Sequence, residues 1–426
     1  MKKIFIAMAV LLLLTACEKE QLVDELETTR QTDAAAIQTD ETTAAVSAAE
    51  PSQTTLAGFA ESKAETSEAA ETKETAAAET KIYESDGIKM RYFDYGKLVP
   101  ALSETAAWNS SVKGNIICIE HKVINDGELS PEKLELIFFD MKENSYLQTV
   151  EITGGWNIDS YIKGDGDIFC KALMYRRMED ENGEFLGFDN AVAIVRDDYT
   201  CEIAKYTSQN AAFEHYGHHI AEWEGNIVDT DKDETIVYGF TAKNGEDENG
   251  FLTETPRYDF PIDENRFVYR IGGYERLPGF GIYDFETGTA SKVPDSTDLI
   301  PVGYSDGYIY SVKTAWDGFG TELYRTDINT LETEFFMDYK SVSTSAYVRY
   351  QMPPDGSYIS ILTEEPYGSD NDEMFYVVDI KTGEQRKAVI PEPSEFGAGI
   401  EYSDSGEAFI ANWWGKILLI SVSDTE

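Results

Sequence analysis

The chain has 426 residues, a formal net charge of −44 at neutral pH and a pI of about 4.3. This charge argues against nucleic-acid binding, because phosphate contacts need a basic surface. With 42% hydrophobic residues the chain can build a large core, which excludes a wholly disordered protein.

Residues 1–16 have the pattern of a secretory signal peptide. Two lysines precede roughly a dozen apolar residues, too few for a comfortable membrane span. Leu14-Thr15-Ala16-Cys17 resembles the lipobox of bacterial lipoproteins. The resemblance implies that Cys17 carries the lipid and anchors the chain to a membrane, on the extracytoplasmic side of a bacterial cell envelope. An ordinary secretory signal stays the alternative.

Residues 17–81 are predicted to form a disordered tether behind the lipidated cysteine. From residue 18 to 81 the sequence is dominated by Ala, Thr, Glu and Ser, with 15 acidic and 5 basic side chains. Few large apolar side chains occur, so the segment cannot bury enough surface to offset the entropy of ordering it.

Residues 82–426 are predicted to be an all-β domain. The segment is rich in Tyr, Phe, Val and Ile, is broken by Gly, Asp and Asn, and lacks long runs of helical periodicity. The signal carries +2 and the tether −10, which leaves −36 on this domain. Such a surface serves solubility or attracts cations and basic peptides.

An apolar run that ends in aspartate recurs along this domain. The spacing of these aspartates is 43 to 57 residues, except for one gap of 87 that we interpret as two units. An Asp-Gly turn precedes the run in several units, so each unit predicts four antiparallel strands, the blade of a β-propeller. The seven predicted units are centred on Asp140, Asp197, Phe240, Asp284, Asp327, Asp379 and Asp424.

Seven four-stranded blades are therefore expected, with six or eight as alternatives. The last unit lacks a strand, and residues 88–95 form a strand without a blade, which predicts that the N-terminal strand of the domain closes the ring. Residues 353–358 and 375–384 resemble the WD-like repeat of the TolB family and of prolyl-oligopeptidase-type propellers. The resemblance implies the fold alone and carries no catalytic residue.

Two clusters are candidate metal sites. Asp229, Asp231 and Asp233 alternate as in calcium loops, although Glu234 stands where an EF-hand has glycine. A solvated loop between strands is the alternative interpretation of this segment.

His215, His218 and His219 form the second cluster, a candidate site for a transition metal. His218 and His219 would point in opposite directions on a strand, so one metal would need a bent loop. A histidine-rich loop at a blade entry is the alternative. Cys118, Cys170 and Cys201 are expected to be free thiols that pack as small apolar residues.

No nucleophile elbow, zinc-protease motif or phosphate loop occurs in the sequence. The preferred hypothesis is a noncatalytic binding or protein-interaction module, tethered at the cell surface, whose protein or carbohydrate ligand lies at one end of the propeller channel. The alternative is a carbohydrate-active hydrolase or lyase, which needs two carboxylates flanked by aromatic side chains such as Trp156, Trp223 or Trp316. The oligomeric state stays open.

Overall fold

The computed structural model describes most of the second part of the chain, from residue 81 onward. The described residues are 81–100, 102, 110–124, 131–180, 183–241, 252–273, 276–313, 322–338, 347–364, 374–390, 400–403, 406, 408–411 and 416–422.

The described residues form thirty β-strands and one short 3-10 turn, Tyr95–Lys97. In chain order the strands are β1 (Lys81–Ser85), β2 (Ile88–Asp94), β3 (Ser110–Lys113), β4 (Ile116–Val123), β5 (Lys133–Asp140), β6 (Ser145–Thr153), β7 (Asn157–Lys163), β8 (Ile168–Glu179), β9 (Phe185–Arg196), β10 (Cys201–Lys205), β11 (Phe213–His215), β12 (His218–Trp223), β13 (Asn226–Asp229), β14 (Glu234–Val237), β15 (Phe240–Thr241), β16 (Leu252–Pro261), β17 (Arg266–Gly273), β18 (Arg276–Asp284), β19 (Thr289–Lys292), β20 (Leu299–Ser305), β21 (Tyr308–Lys313), β22 (Glu322–Asp327), β23 (Thr333–Asp338), β24 (Tyr347–Gln351), β25 (Tyr358–Glu364), β26 (Met374–Asp379), β27 (Gln385–Val389), β28 (Ile400–Tyr402), β29 (Ala408–Ala411) and β30 (Lys416–Val422).

The strands form seven antiparallel sheets, the blades of a seven-bladed β-propeller, which confirms the predicted fold class. Blades 1 to 3 comprise β3–β6, β7–β10 and β11–β14, and blades 5 and 6 comprise β20–β23 and β24–β27. Blade 4 comprises β16–β19, with β15 as a fifth strand beside β16. Blade 7 comprises β28, β29, β30, β2 and β1 in that order.

The ring is closed by the N-terminal strand, as the sequence predicted. β2 pairs with β30 along its whole length, from Ile88 opposite Val422 to Asp94 opposite Lys416. β1 then adds an outer strand to β2. Closure of this kind ties the two ends of the domain together and removes an open edge from the last blade.

The recurring aspartate caps the turn after the third strand of a blade. In five blades its Oδ1 accepts hydrogen bonds from the backbone N–H groups two and three residues later, at 2.7 to 3.2 Å. Asp is suited to this role because its short side chain reaches its own turn. The five capping residues are Asp140, Asp229, Asp284, Asp327 and Asp379.

One predicted unit was misplaced. The third strand of blade 3 ends at Asp229, and Phe240 opens β15 of blade 4 instead of marking the centre of a blade. Blade 3 is short because its strands are joined by tight turns. The gap of 87 residues is therefore divided unequally, with Asp229 only 32 residues after Asp197.

The hydrophobic core is divided into clusters that lie between neighbouring blades. Six clusters join blades 7 and 1, 1 and 2, 3 and 4, 4 and 5, 5 and 6, and 6 and 7. Within the described residues no such cluster joins blades 2 and 3. The small side chains Ala211, Ala212 and Ala221 are buried in this part of the ring.

No helix among the described residues is long and apolar enough to cross a membrane.

Candidate functional site

The first strands of the blades line the centre of the ring. Neighbouring first strands lie close together, as β3 does to β7 and β20 does to β24. Two of these inner strands carry an acidic residue at a β-bulge: Asp159 in β7 and Asp259 in β16. A bulge turns the extra residue away from the regular alternation of the strand, and such features are common beside functional sites.

The inner strand of blade 3 is cut short. β11 has three residues and pairs only with His218–Ile220 of β12. In this described part of the chain, Ala221–Trp223 at the end of β12 therefore have no strand on their inner side. At this gap Glu222 is exposed and Trp223 is half-buried.

Asp259 has a largely buried carboxyl group with an unsatisfied oxygen. Its side chain is 15% exposed, its Oδ1 lies 3.4 Å from Nη2 of Arg270, and its Oδ2 has no hydrogen-bond partner. Burial raises the pKa of Asp259 to about 6, while the charge of Arg270 opposes the shift. A buried carboxylate oxygen without a partner is costly, so such groups are found chiefly where function requires them.

Glu222 approaches the same place from β12. Its carboxylate accepts a hydrogen bond from the backbone N–H of Tyr258. Part of the side chain is exposed, yet the protein around the carboxyl group raises its pKa by desolvation, and the nearby charge of Asp259 adds to the shift. The guanidinium groups of Arg257 and Arg270 oppose it.

Two aromatic rings extend the site towards blade 2. Tyr206, directly after β10, packs against Trp223 with a centroid distance of 4.8 Å and an angle of 37°. Burial raises the pKa of Tyr206, and the charges of Asp159 and Glu222 raise it further. Blades 2, 3 and 4 thus contribute to one group of side chains, here called the inner-strand site. It comprises Asp159, Tyr206, Glu222, Trp223, Arg257, Asp259 and Arg270.

The chemistry of the inner-strand site is mixed. Carboxyl groups accept or, when protonated, donate hydrogen bonds, guanidinium groups donate them, and the ring pair offers an apolar surface. A few convergent polar groups beside aromatic side chains are typical of small-molecule sites.

The predicted calcium residues lie on the turn between β13 and β14. Asp229 is buried and caps this turn, and its Oδ2 lies 2.8 Å from Nζ of Lys232. Asp231 is held instead by His219, whose backbone N–H donates to its Oδ2 at 2.9 Å. Asp233 has a positive φ of 54° at the end of the turn. Structural roles thus account for Asp229 and Asp231, and the calcium site stays a prediction.

The three histidines have different surroundings. His215 is buried, its Nδ1 lies 3.4 Å from the hydroxyl of Tyr258, and burial lowers its pKa to about 4. His218 stacks on Phe285 at a centroid distance of 3.8 Å. His219 is exposed, with Nδ1 3.0 Å from Oδ1 of Asp231. Among the described residues no three His, Cys, Asp or Glu side chains are grouped as metal ligands, so the transition-metal site also stays a prediction.

Other predicted residues lie elsewhere or outside the described residues. Cys17 and Trp316 belong to the parts of the chain that the structure does not describe. Trp156 is buried between blades 1 and 2, with the guanidinium of Arg176 4.4 Å from its ring, and does not belong to the inner-strand site. Trp223 does.

The three internal cysteines are free thiols in the apolar cluster between blades 1 and 2. Cys170 and Cys201 are both in register with Val195, on strands two apart in one sheet, which is too far for a disulfide. Cys118 reaches Cys170 from blade 1 within hydrogen-bonding distance, and burial raises its pKa well above the usual value.

Asp159 and Asp259 are the site residues that the sequence did not reveal. Both stand among many acidic residues in strand patterns, and a bulge leaves no clear signal in such a pattern. Glu222 lies three residues after His219, and no role was predicted for it. The adjacent pair Glu222-Trp223 at the end of a strand was the available clue.

No protein-family model matches the chain, and no curated protein matches it. Among solved structures, virginiamycin B lyase from Staphylococcus aureus is 14% identical, with 79% of this chain and 100% of that chain covered and a TM-score of 0.47. The Pan2 WD40 domain from Neurospora crassa is 9% identical, with 79% and 95% covered and a TM-score of 0.45. The β-propeller domain of the trilobed protease from Pyrococcus furiosus is 13% identical, with 72% and 89% covered and a TM-score of 0.42. Likeness at this level carries no information about activity.

Proposed function

We propose that this protein is a noncatalytic binding module of the bacterial cell envelope whose ligand occupies the inner-strand site. The observation that carries the proposal is the shortened inner strand of blade 3, beside which Glu222 is exposed and Trp223 is half-buried, near the unsatisfied carboxyl of Asp259. A carbohydrate ligand suits the side chains of the inner-strand site best. Sugar hydroxyls accept from guanidinium groups and donate to carboxylates, while sugar rings stack on aromatic faces.

The test is a thermal-shift and calorimetry screen of the full chain against a panel of oligosaccharides. A ligand that binds only the folded state raises the melting temperature by mass action. For a sugar that binds, Trp223→Ala and Glu222→Gln are expected to weaken the affinity about tenfold or more. Glu202→Gln, at an exposed position of the outer strand of blade 2, is the matched control and leaves the affinity unchanged. If no oligosaccharide raises the melting temperature, the proposed ligand class is wrong.

A second candidate function, a carbohydrate-active hydrolase or lyase, is favoured by the pKa of about 6 at Asp259. A carboxyl group that is partly protonated near neutral pH suits a general acid. Incubation with the bound sugar separates the two functions. An enzyme would release shorter products and lose most of this activity in Asp259→Asn, whereas a binding module returns the sugar intact.

The cellular setting is part of the same proposal. The lipobox-like residues before Cys17 and the tether over residues 17–81 support a membrane anchor on the extracytoplasmic side. In a bacterial expression host, the wild-type chain is expected in the detergent-soluble membrane fraction. Cys17→Ala is expected in the soluble fraction or as uncleaved precursor, and membrane retention of cleaved Cys17→Ala would contradict the anchor.

A further inference from the structure

The β8–β9 hairpin extends beyond the sheet to which it belongs. β7 pairs with β8 only as far as Tyr175, and β10 pairs with β9 only from Ala191 onward. Arg176–Glu179 pair with Phe185–Asp189 and, among the described strands, with no third one. The described residues of 175–190 are here called the hairpin arm.

The hairpin arm carries exposed apolar side chains. Met178 is 39% exposed, Leu186 65% and Phe188 52%. A single exposed apolar residue is ordinary, but Leu186 and Phe188 lie two residues apart on one projecting strand, and such a pair indicates an interaction surface. Met178 lies on the other face of the ribbon, because it is opposite Gly187 while Phe188 is opposite Arg177.

The backbone of the hairpin arm is adapted to present this group. Leu186 is the extra residue of a β-bulge, since Met178 lies opposite Gly187 and Glu179 lies opposite Phe185. Gly187 has a φ of 131°, which side chains other than glycine rarely adopt, and a Cβ built on it would meet nothing within 4 Å. The bulge turns Leu186 outward and the glycine leaves open space beside it.

Ring packing fixes the hairpin arm before any partner arrives. Phe188 packs edge-on against Tyr175 and Phe185, with centroid distances of 5.6 and 5.1 Å. The guanidinium of Arg177 lies 4.9 Å from the ring of Phe185. A preordered surface loses less entropy on binding than a mobile one.

The charges around the apolar group select the partner. The described residues of the hairpin arm carry four acidic and two basic side chains. Arg176 is paired with Asp189 and Arg177 with Glu179, each at 2.7 Å. The net charge of the hairpin arm is negative, as is that of the whole domain. A second copy of the chain or an anionic membrane would be repelled, whereas a basic segment would be attracted.

We infer that the hairpin arm is a docking site for a partner protein that presents an apolar stripe flanked by lysine or arginine. The inference goes beyond the inner-strand site, because it concerns a different part of blade 2 and a different class of ligand.

The probe is an amphipathic helical peptide of leucine and lysine, titrated against the full chain by calorimetry. The peptide is expected to bind, and more weakly at high salt, because screening reduces the attraction between the charges. The double variant Leu186→Ser/Phe188→Ser is expected to lose about tenfold in affinity. The control is Phe335→Ser, which removes a comparably exposed aromatic residue from the outer strand of blade 5 and leaves the affinity unchanged.

Further measurements decide against the other occupants. The three measurements are titration with a peptide that has glutamate in place of lysine, binding to vesicles of zwitterionic lipid, and sedimentation of the chain alone. In none of them do we expect an interaction that the double variant abolishes. The inference is overturned if the lysine peptide binds the double variant as tightly as the wild type, since its attraction is then a general effect of the acidic surface. Stronger binding to vesicles, or loss of a dimer in the double variant, would overturn it equally.

Discussion

The two interfaces of blade 2 differ in chemistry. Towards blade 1, fifteen buried residues form one apolar cluster, in which Phe138 packs against Phe169 and Tyr199 with centroid distances of 5.1 and 5.0 Å. Towards blade 3, no such cluster occurs in the described part of the chain. Lys171, whose pKa is lowered by burial, instead donates a hydrogen bond to the carbonyl of Ala212.

The apolar interface and the polar interface can therefore have different roles in the same ring. A ring of seven blades stays closed when one of its interfaces is weakly packed, because the other interfaces and the paired ends hold its shape. The weaker interface is then free to carry polar groups, and there the inner strand is short and Trp223 and Tyr206 are half-buried. Stability and ligand binding place opposite demands on a site, and under the proposed function they fall to different interfaces of this propeller.

The largest effect is expected from truncation at the apolar interface. Phe138→Ala should lower the free energy of unfolding by about 3 to 5 kcal/mol, because it removes a fully buried ring and leaves a cavity. Tyr206→Ala, at the polar interface, should cost about 1 to 2 kcal/mol. Urea denaturation of both variants measures the difference. Equal losses would mean that the two interfaces contribute alike.

The next largest effect on stability is expected from His215, which is buried in the interface between blades 3 and 4. The pKa of His215 is about 4 in the folded chain, below the usual 6.5. Between these values the unfolded state binds more protons, so the free energy of unfolding falls as the pH is lowered from about 6.5 to 4, by about 2 to 3 kcal/mol. His215→Phe keeps the ring packing and should flatten this dependence. An unchanged pH profile in the variant would assign the acid sensitivity to other groups.

The opposite pH dependence of stability is expected from Asp259 in the inner-strand site. The pKa of Asp259 is raised to about 6, so this carboxyl group destabilises the fold increasingly as the pH rises from about 4 to 6. Asp259→Asn should therefore raise the free energy of unfolding by about 2 kcal/mol at pH 7.5 and change it little at pH 4. Asp189→Asn, in the partly exposed pair with Arg176, serves as the control without such a gain. A loss of stability at pH 7.5 in Asp259→Asn would contradict the inference that the ionised carboxyl of Asp259 destabilises the fold.

The smallest effect is expected on the exposed turn of blade 3. Asp231→Asn should change the free energy of unfolding by less than about 0.5 kcal/mol, since the pair with His219 is exposed on both sides. Asp229→Asn should cost more, because it weakens a buried turn cap and leaves Lys232 without its partner. Thermal unfolding of the two variants, with and without calcium, checks this order and the calcium prediction together.

Much of the fold could be predicted because it is repeated in the sequence. An aspartate such as Asp379 follows a strand and caps a turn in five of the blades, so its spacing reveals them. The strand at residues 88–95 was recognisable because it had no partner nearby. Blade 3 was misplaced because tight turns shorten it, so its aspartate, Asp229, fell outside the regular spacing and was considered only as a candidate calcium ligand.

The inner-strand site could not be predicted in the same way. Its residues come from three blades and do not repeat, and the bulges at Asp159 and Asp259 depend on pairing with neighbouring strands. Among 79 acidic residues, nothing local distinguishes these two. Trp223 was one of three tryptophans named as possible aromatic flanks, and the structure packs it against Tyr206, but its role as a flank stays a prediction.

The pairing of β2 with β30 also determines when the chain can fold. Ile88 and Val422 are 334 positions apart, and bringing such distant segments together costs about 5 kcal/mol of chain entropy. Blade 7 cannot form until the last strand has been synthesised and has met the first. Under the export proposed above, the domain would reach its final form only after its C-terminal strand has followed the rest across the membrane.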